Sequence, residues 1–124
     1  MPATIGRVED PFVATFDHDG WTLAYEDGGS GPAVLLVHGL LMDRTMFSEQ
    51  MEALADRYRV ITPDLRGHGE SEHRAQPYTQ WDLMEDHIAL LDDLGVHRAV
   101  WGGVSQGAFT RSEPRSVIPI AWRD

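Results

Sequence analysis

The chain has 124 residues and a formal net charge of −10, with 20 acidic residues, ten basic residues, no cysteine and a hydrophobic fraction of 42%. This length suits one globular domain or part of one, and the acidic balance argues against nucleic acid and anionic membranes as partners, because phosphate binding needs a positive surface. The lack of cysteine excludes disulfides and thiolate metal sites; since every basic residue is arginine, a phosphate-loop lysine and a Schiff-base lysine are also excluded.

The first third of the chain predicts a β-hairpin and a buried strand. Residues 12–16 read as a short strand, residues 17–20 as a turn, and residues 21–25 alternate large apolar and small side chains. We interpret the Asp-His-Asp-Gly turn as a hairpin turn, because the later ligands of a calcium loop are absent. A loop follows at residues 28–32, and residues 33–37 form an apolar run typical of a strand buried on both faces.

Two amphipathic helices alternate with two further strands. The stripe of the first helix consists of Phe47, Met51, Leu54, Ala55 and Tyr58. A short strand covers residues 59–62. The second helix begins at Thr79, which forms a capping-box pattern with Asp82, and it stops at Gly95. Its stripe consists of Trp81, Met84, Ile88 and Leu91. Residues 96–101 form the next strand. The order of elements, a hairpin followed by βαβαβ, predicts an α/β fold with a mainly parallel sheet.

Unusual residues follow three of these strands, at the ends where open α/β sheets collect their chemistry. The motif His-Gly-Leu-Leu occupies residues 38–41, and Asp-Leu-Arg-Gly-His-Gly-Glu-Ser occupies residues 64–71. After the last strand, residues 103–107 read Gly-Val-Ser-Gln-Gly, the G-x-S-x-G pattern of a serine on a sharp strand-to-helix turn.

In the order and spacing of these motifs, residues 12–108 resemble the N-terminal half of an α/β-hydrolase. The resemblance implies that Ser105 is the nucleophile of an acyl-enzyme mechanism, and that the backbone N–H groups of Leu40 and Gln106 form the oxyanion hole. The residues that it implies as supports of the nucleophile elbow and the loops are His38, Gly39, Gly103, Gly107 and Asp64. Serine rather than aspartate at the elbow favours cleavage of an ester, lactone or thioester over the haloalkane dehalogenase and epoxide hydrolase branches.

The alternative interpretation of Ser105 is a serine in an ordinary turn, without a catalytic role. We interpret His38 as structural, and Asp64, Arg66 and His68 as holding the loop after the fourth strand. Four histidines are predicted to be solvated: His18, His73, His87 and His97. The glycines around Ser105 lack the spacing of a dinucleotide loop, so we expect no cofactor and no metal.

The sequence departs from the family pattern after Ala108. The family order is serine, acid, histidine, but the last histidine here, His97, precedes Ser105. Pro114 interrupts the helix predicted after Ser105, and Pro119 would break a central strand. We therefore interpret residues 1–108 as the N-terminal half of a hydrolase domain and residues 109–124 as an atypical tail.

We expect a truncated gene product that is inactive alone. A frame disruption near residue 109 would explain its atypical tail. The alternative is a non-catalytic hydrolase-derived fragment, or a subunit that needs a partner. Without a sixth strand, residues 99–101 would form an exposed sheet edge and allow self-association. Residues 1–10 lack the apolar core of a signal peptide and no apolar run spans a bilayer, so we expect a cytoplasmic protein.

Overall fold

The computed structural model describes residues 13–103 together with Val117 and Ile118. Its six strands form one mixed sheet in the order β1-β2-β4-β3-β5-β6. The strands are β1 (Val13–His18), β2 (Trp21–Gly28), β3 (Ala33–Val37), β4 (Arg59–Pro63), β5 (Ala99–Gly103) and β6 (Val117–Ile118). A 3₁₀ turn (Arg44–Phe47) leads into α1 (Ser48–Leu54), and α2 (Gln80–Asp93) connects β4 to β5. The predicted α/β class is confirmed.

The predicted hairpin is present between β1 and β2. The two strands are antiparallel, and His18 pairs with Trp21 across a turn of only two residues. Both turn residues have a positive φ, 52° at Asp19 and 84° at Gly20. A turn of this kind suits Asp-Gly, and its twist matches that of the flanking strands. The second strand, β2, also pairs antiparallel with β4, so the hairpin extends an otherwise parallel sheet.

The parallel part of the sheet is centred on β3, which has β4 on one side and β5 on the other. Side chains along β3 alternate between two apolar clusters. Leu35 and Val37 belong to the cluster beneath α2, and Leu36 belongs to the cluster beneath α1. Helices on both faces therefore explain why the sequence of β3 is continuously apolar rather than alternating.

The two helices agree with the sequence pattern in part. The first, α1, ends at Leu54; Tyr58, predicted on its stripe, lies beyond the helix but packs against the same cluster. The capping box at the start of α2 is confirmed, with both the Thr79 and Asp82 side chains accepting from each other's backbone N–H. Gly95 follows α2 with φ 72°, as a glycine after a helix end does.

Trp81 was wrongly assigned to the buried stripe of α2, because its side chain is 66% exposed. The face of α2 that meets the sheet is rotated away from Trp81. The buried residues of this face are Leu83, Met84, Asp86, His87, Leu90 and Leu91. Two of them are ionisable, which is why a search for apolar spacing alone misplaced the face.

The expectation of an unpaired edge at the start of β5 was wrong. Ala99 pairs with Val117 and Val100 pairs with Ile118 in parallel register. No helix in the part of the chain that the structure describes is long and apolar enough to cross a membrane.

Candidate active site

The carboxyl ends of β3, β4 and β5 lie side by side at one edge of the sheet. Val37, the last residue of β3, pairs with Gly103, the last residue of β5. The loops that follow β3 and β4 therefore begin beside the point where the G-x-S-x-G motif starts. Gly103 is buried. Ser105, Gln106 and Gly107 of the predicted site lie outside the described residues.

His38 follows β3 and is completely buried. Its Nε2 lies 3.0 Å from the Leu65 N–H, which donates to it, and its Nδ1 lies 2.8 Å from the Gly39 carbonyl oxygen. The proton is therefore assigned to Nδ1, because Nε2 must accept. Burial lowers the pKa of His38, against the opposing effects of the Gly39 hydrogen bond and Asp64. Because the lone pair of the neutral ring accepts the Leu65 hydrogen bond, His38 joins two loops and cannot act as a base.

Asp64 follows β4 and is the most heavily hydrogen-bonded side chain at this edge. Its Oδ1 accepts from the Arg44 backbone N–H at 2.7 Å, and its Oδ2 accepts from Arg44 Nη1 at 2.7 Å and from the Glu70 N–H at 3.0 Å. Arg44 also donates through Nε to Glu26 at 2.8 Å. Both members of the Asp64–Arg44 pair are buried, where a charge is tolerated only when it is paired and hydrogen-bonded.

The glycine at position 69 leaves room for the Asp64 carboxylate. Gly69 has φ 53°, and a Cβ added to it would lie 2.4 Å from the carboxylate. The loop therefore needs glycine here both for backbone conformation and for space. Ser71 closes the same loop: its Oγ donates to the Asp64 carbonyl oxygen and accepts from the Ala24 N–H of β2, each at 2.8 Å.

A second buried ion pair joins this loop to α2. Arg66 donates to both carboxylate oxygens of Asp86, at 2.8 and 2.7 Å, and its guanidinium lies 4.6 Å from the centre of the Trp21 ring. The Nδ1 of His18 lies 2.8 Å from Asp86 Oδ1. Sequence reasoning missed Asp86 and Trp21. The sequence signal that could have identified Asp86 was its position on the same face of α2 as Leu83 and Leu90.

His87 was wrongly predicted to be solvated. Its side chain faces β5 beneath the sheet, and its ring packs edge-on against Trp101 with ring centres 5.8 Å apart. His87 Nδ1 and Trp101 Nε1 are both buried and have no hydrogen-bond partner in the part of the chain that the structure describes. Burial lowers the pKa of His87 to about 4, so the ring is neutral at pH 7. His18, bonded to Asp86, is half-buried, whereas His73 and His97 are exposed as predicted.

Leu40 lies in a tight turn directly after His38 and Gly39. The Met42 N–H donates to the Gly39 carbonyl oxygen at 3.1 Å, and Leu41 adopts φ 66°. Within residues 13–103, the Leu40 N–H has no hydrogen-bond acceptor. A backbone N–H that is free at the carboxyl end of a central strand is suited to bind a developing oxyanion.

His68 differs from His38 in the hydrogen bonding of its ring nitrogens. The two rings lie 5.2 Å apart, and His68 Nδ1 donates to the Arg66 carbonyl oxygen at 3.0 Å. Its Nε2 has no partner among the described residues, so a lone pair is available there.

In the described part of the chain, no group of three or more potential ligands could hold a metal ion.

Comparison with known proteins decides the family. The family model for the alpha/beta hydrolase fold matches residues 32–111. The chain belongs to this family. The resemblance inferred from the three motifs is confirmed, and hydrolases recur among the similar proteins.

Two curated relatives represent the range of activities. The chain is 35% identical to 3-oxoadipate enol-lactonase 1 of Acinetobacter baylyi over 96 residues, which is 76% of this chain and 36% of that protein. It is 39% identical to an epoxide hydrolase of Caballeronia sordidicola over 106 residues, 83% of this chain and 31% of that protein. The α/β-hydrolase chain therefore spans about a third of the length of these relatives.

Solved structures agree with the fold. A hydrolase from Pseudomonas aeruginosa is 32% identical with a TM-score of 0.81, covering 88% of this chain and 44% of that one. A thermophilic esterase from Thermogutta terrifontis is 39% identical with a TM-score of 0.75, covering 85% of this chain and 41% of that one.

Proposed function

We propose that the chain carries the nucleophile half of a serine hydrolase, in which Ser105 attacks a carboxylic ester, lactone or thioester. The observation that carries this proposal is positional. The G-x-S-x-G motif starts at the last residue of β5, at the sheet edge where the Leu40 N–H has no hydrogen-bond acceptor among the described residues. Residues 1–108 are the hydrolase part of the chain in this proposal, and residues 109–124 are an atypical tail.

The proposed reaction has two steps. The Ser105 hydroxyl gives its proton to a base and adds to the substrate carbonyl carbon; the leaving alkoxide or thiolate then takes that proton from the base, and an acyl-enzyme remains. Water gives a proton to the same base as it adds to the acyl carbon, and Ser105 takes that proton when the carboxylic acid is released. The N–H groups of Leu40 and Gln106 stabilise the oxyanion in both steps, and loss of one such donor costs about 3 kcal/mol of activation free energy.

The similarity to epoxide hydrolases raises a second reaction class, but the nucleophile argues against it. A carboxylate that opens an epoxide forms an ester, which water can hydrolyse to release the product. A serine that opened an epoxide would form an ether, which has no carbonyl for water to attack. Ser105 therefore supports acyl transfer over epoxide opening for this chain.

The competing proposal is a non-catalytic fragment or a subunit that needs a partner. It is supported by the engagement of His38 in two hydrogen bonds, which leave this ring no nitrogen to act as a base. The expected partner is a small ester-like substrate; the self-association expected from an open β5 edge loses its basis, because β6 pairs with Ala99 and Val100. A cytoplasmic location stays a prediction.

Labelling with a fluorophosphonate probe tests the proposed nucleophile. The first sample is the 124-residue chain, and the second joins residues 1–108 to the C-terminal part of the Thermogutta terrifontis esterase. We expect covalent labelling of the hybrid that disappears in Ser105→Ala and persists in the matched control Ser30→Ala. Labelling that survives Ser105→Ala would refute the assignment. Absence of labelling in a folded hybrid would favour the non-catalytic alternative.

A further inference from the structure

Two of the four methionines in the described part of the chain are exposed, and both lie on one short segment. Met42 is 46% exposed and Met46 is 38% exposed. Met42 lies at the end of the turn after β3, two residues beyond Leu40, and Met46 lies in the 3₁₀ turn that leads into α1. We call Met42 and Met46 the methionine pair. Their thioether side chains are open to reagents in water.

The other two described methionines are packed inside the domain. Met84 on α2 is 7% exposed and belongs to the cluster beneath that helix. Met51 on α1 is half-buried and packs against the cluster beneath α1. Its Sδ would lie 3.1 Å from a Cβ added to Gly28, so the sulfur lies against the end of β2. The chain therefore holds exposed and packed thioethers side by side in one fold.

A thioether that is open to water reacts with hydroperoxides. The sulfur attacks one oxygen of hydrogen peroxide, so that an S–O bond forms and the O–O bond breaks. The transferred oxygen gives its proton to the departing hydroxide, which leaves as water. The sulfur is oxidised by two electrons and the peroxide is reduced by two. The product, methionine sulfoxide, is a polar group where the thioether was apolar.

The backbone around the methionine pair is held by hydrogen bonds that do not involve sulfur. The Met42 N–H donates to the Gly39 carbonyl oxygen at 3.1 Å. The Met46 N–H donates to the Asp43 carbonyl oxygen at 3.2 Å. Oxidation of the two side chains leaves each of these donors and acceptors unchanged.

The residue between the two methionines fastens this segment to the loop after β4. Arg44 donates to the Asp64 carboxylate through its backbone N–H and through its guanidinium, each at 2.7 Å. The segment is thus anchored by a buried ion pair, whereas its methionine side chains lie outside the core. A sulfoxide at Met84 would instead place a polar group among apolar side chains, which costs folding free energy.

We propose that Met42 and Met46 form a modification site for hydroperoxides, at which oxidation to sulfoxides makes the surface after β3 polar and leaves the fold intact. The inference does not depend on the proposed serine hydrolase function. Sulfoxide formation is reversible, since the reductases MsrA and MsrB each reduce one of the two sulfoxide epimers. The surface beside Leu40 therefore has an apolar, reduced state and a polar, oxidised state.

Mass spectrometry of peptides after timed exposure to hydrogen peroxide tests the selectivity. The sample is the folded 124-residue chain, in which each methionine is followed in the same digest. We expect Met42 and Met46 to be oxidised on the order of tenfold faster than Met84, because oxidation follows exposure. The control is the chain in urea, where the methionines should react at similar rates. Oxidation of Met84 as fast as that of the methionine pair in the folded chain would overturn the proposal.

Leucine variants identify the group that changes the surface. Met42→Leu combined with Met46→Leu removes both thioethers and keeps the side chains apolar and similar in size. The readout is the fluorescence of the dye ANS, which binds exposed apolar surface. Peroxide should lower this fluorescence in the unsubstituted chain, MsrA with MsrB should restore it, and the double variant should not respond. The matched control Met84→Leu should respond like the unsubstituted chain.

Thermal unfolding shows whether the fold is retained after oxidation. The unfolding temperature of the chain oxidised at Met42 and Met46 should equal that of the reduced chain. A rise in ANS fluorescence with loss of the unfolding transition would show that oxidation unfolds the domain, and would overturn the proposal. A fall in fluorescence that persists in the double variant would place the reactive group elsewhere in the chain and would overturn it as well.

Discussion

The Asp64 carboxylate accepts hydrogen bonds from both the backbone N–H and the guanidinium of Arg44, each at 2.7 Å. This pair fastens the loop after β4 to the 3₁₀ turn that follows the Leu40–Leu41 turn. The proposed oxyanion donor is thereby held between His38, which is anchored to Leu65, and Arg44, which is anchored to Asp64. A site that stabilises a transition state needs this kind of fixed donor, since reorganisation during the reaction would cancel its effect.

Asp64→Asn should destabilise the fold strongly. The substitution removes one of two buried charges and leaves the Arg44 guanidinium beside a neutral amide, which typically costs about 3–5 kcal/mol. Urea unfolding followed by circular dichroism measures the loss. The control is Asp27→Asn, which breaks the half-exposed pair with Arg59 and should cost less than about 1 kcal/mol. Similar losses in the two variants would show that Asp64 is not the anchor that its hydrogen bonds indicate.

Gly69→Ala tests the space that Asp64 occupies. A Cβ at position 69 would meet the carboxylate at 2.4 Å, so the buried ion pair must move. Gly20 provides a matched control, because it also has a positive φ, 84°, but a Cβ there meets nothing within 4 Å. Gly20→Ala should cost only the backbone penalty of about 1 kcal/mol, and Gly69→Ala clearly more. Equal shifts in thermal unfolding would mean that the Asp64 loop adapts without strain.

Local features of the sequence were predictable because their causes are local. The capping box depends on Thr79 and Asp82 alone, and the hairpin turn depends on Asp19 and Gly20. The motif positions at the strand ends followed from element order, since parallel strands share an edge. The family was recognisable from these same motifs.

Features that depend on distant packing were not predictable. His87 resembles any histidine on a charged helix, and only its contact with Trp101 of β5 buries it. The pairing of β6 with β5 joins residues 18 positions apart across the connection, and Pro119 suggested that no strand would form. Asp86 was not singled out from the sequence, because the arginine that pairs with it lies 20 residues earlier.

The free energy of unfolding should decrease at acidic pH because His87 is buried in its neutral form. The pKa of this ring is lowered by burial to about 4, whereas an unfolded histidine titrates near 6.5. Between these values the unfolded chain binds the proton and the folded chain does not, so the free energy of unfolding decreases as pH falls from about 6.5 to about 4. The difference of about 2.5 units corresponds to roughly 3 kcal/mol at most.

His87→Leu should flatten that part of the pH profile. The variant also removes a buried nitrogen that has no partner among the described residues, so stability at pH 7 should be unchanged or higher. Urea midpoints at pH 4.5 and pH 7 measure both effects, and the exposed His73→Leu should keep the wild-type slope. An unchanged slope in His87→Leu would show that other groups cause the acid sensitivity. His38 would be the first candidate, because burial lowers its pKa as well.

The 124-residue chain should hydrolyse an activated ester no faster than its Ser105→Ala variant. A serine hydroxyl is a poor nucleophile without a base, and loss of a triad histidine lowers the rate by several orders of magnitude. His38 cannot substitute, because both ring nitrogens are hydrogen-bonded within the described loops. Release of p-nitrophenol from its acetate, followed at equal protein concentration, compares the two chains. Turnover that depends on Ser105 would contradict the expectation and would point to His68, whose Nδ1–H donates to the Arg66 carbonyl oxygen and whose Nε2 has no partner within residues 13–103. His68→Gln should then abolish that turnover, while His73→Gln, changed at an exposed histidine of the same loop, should leave it intact.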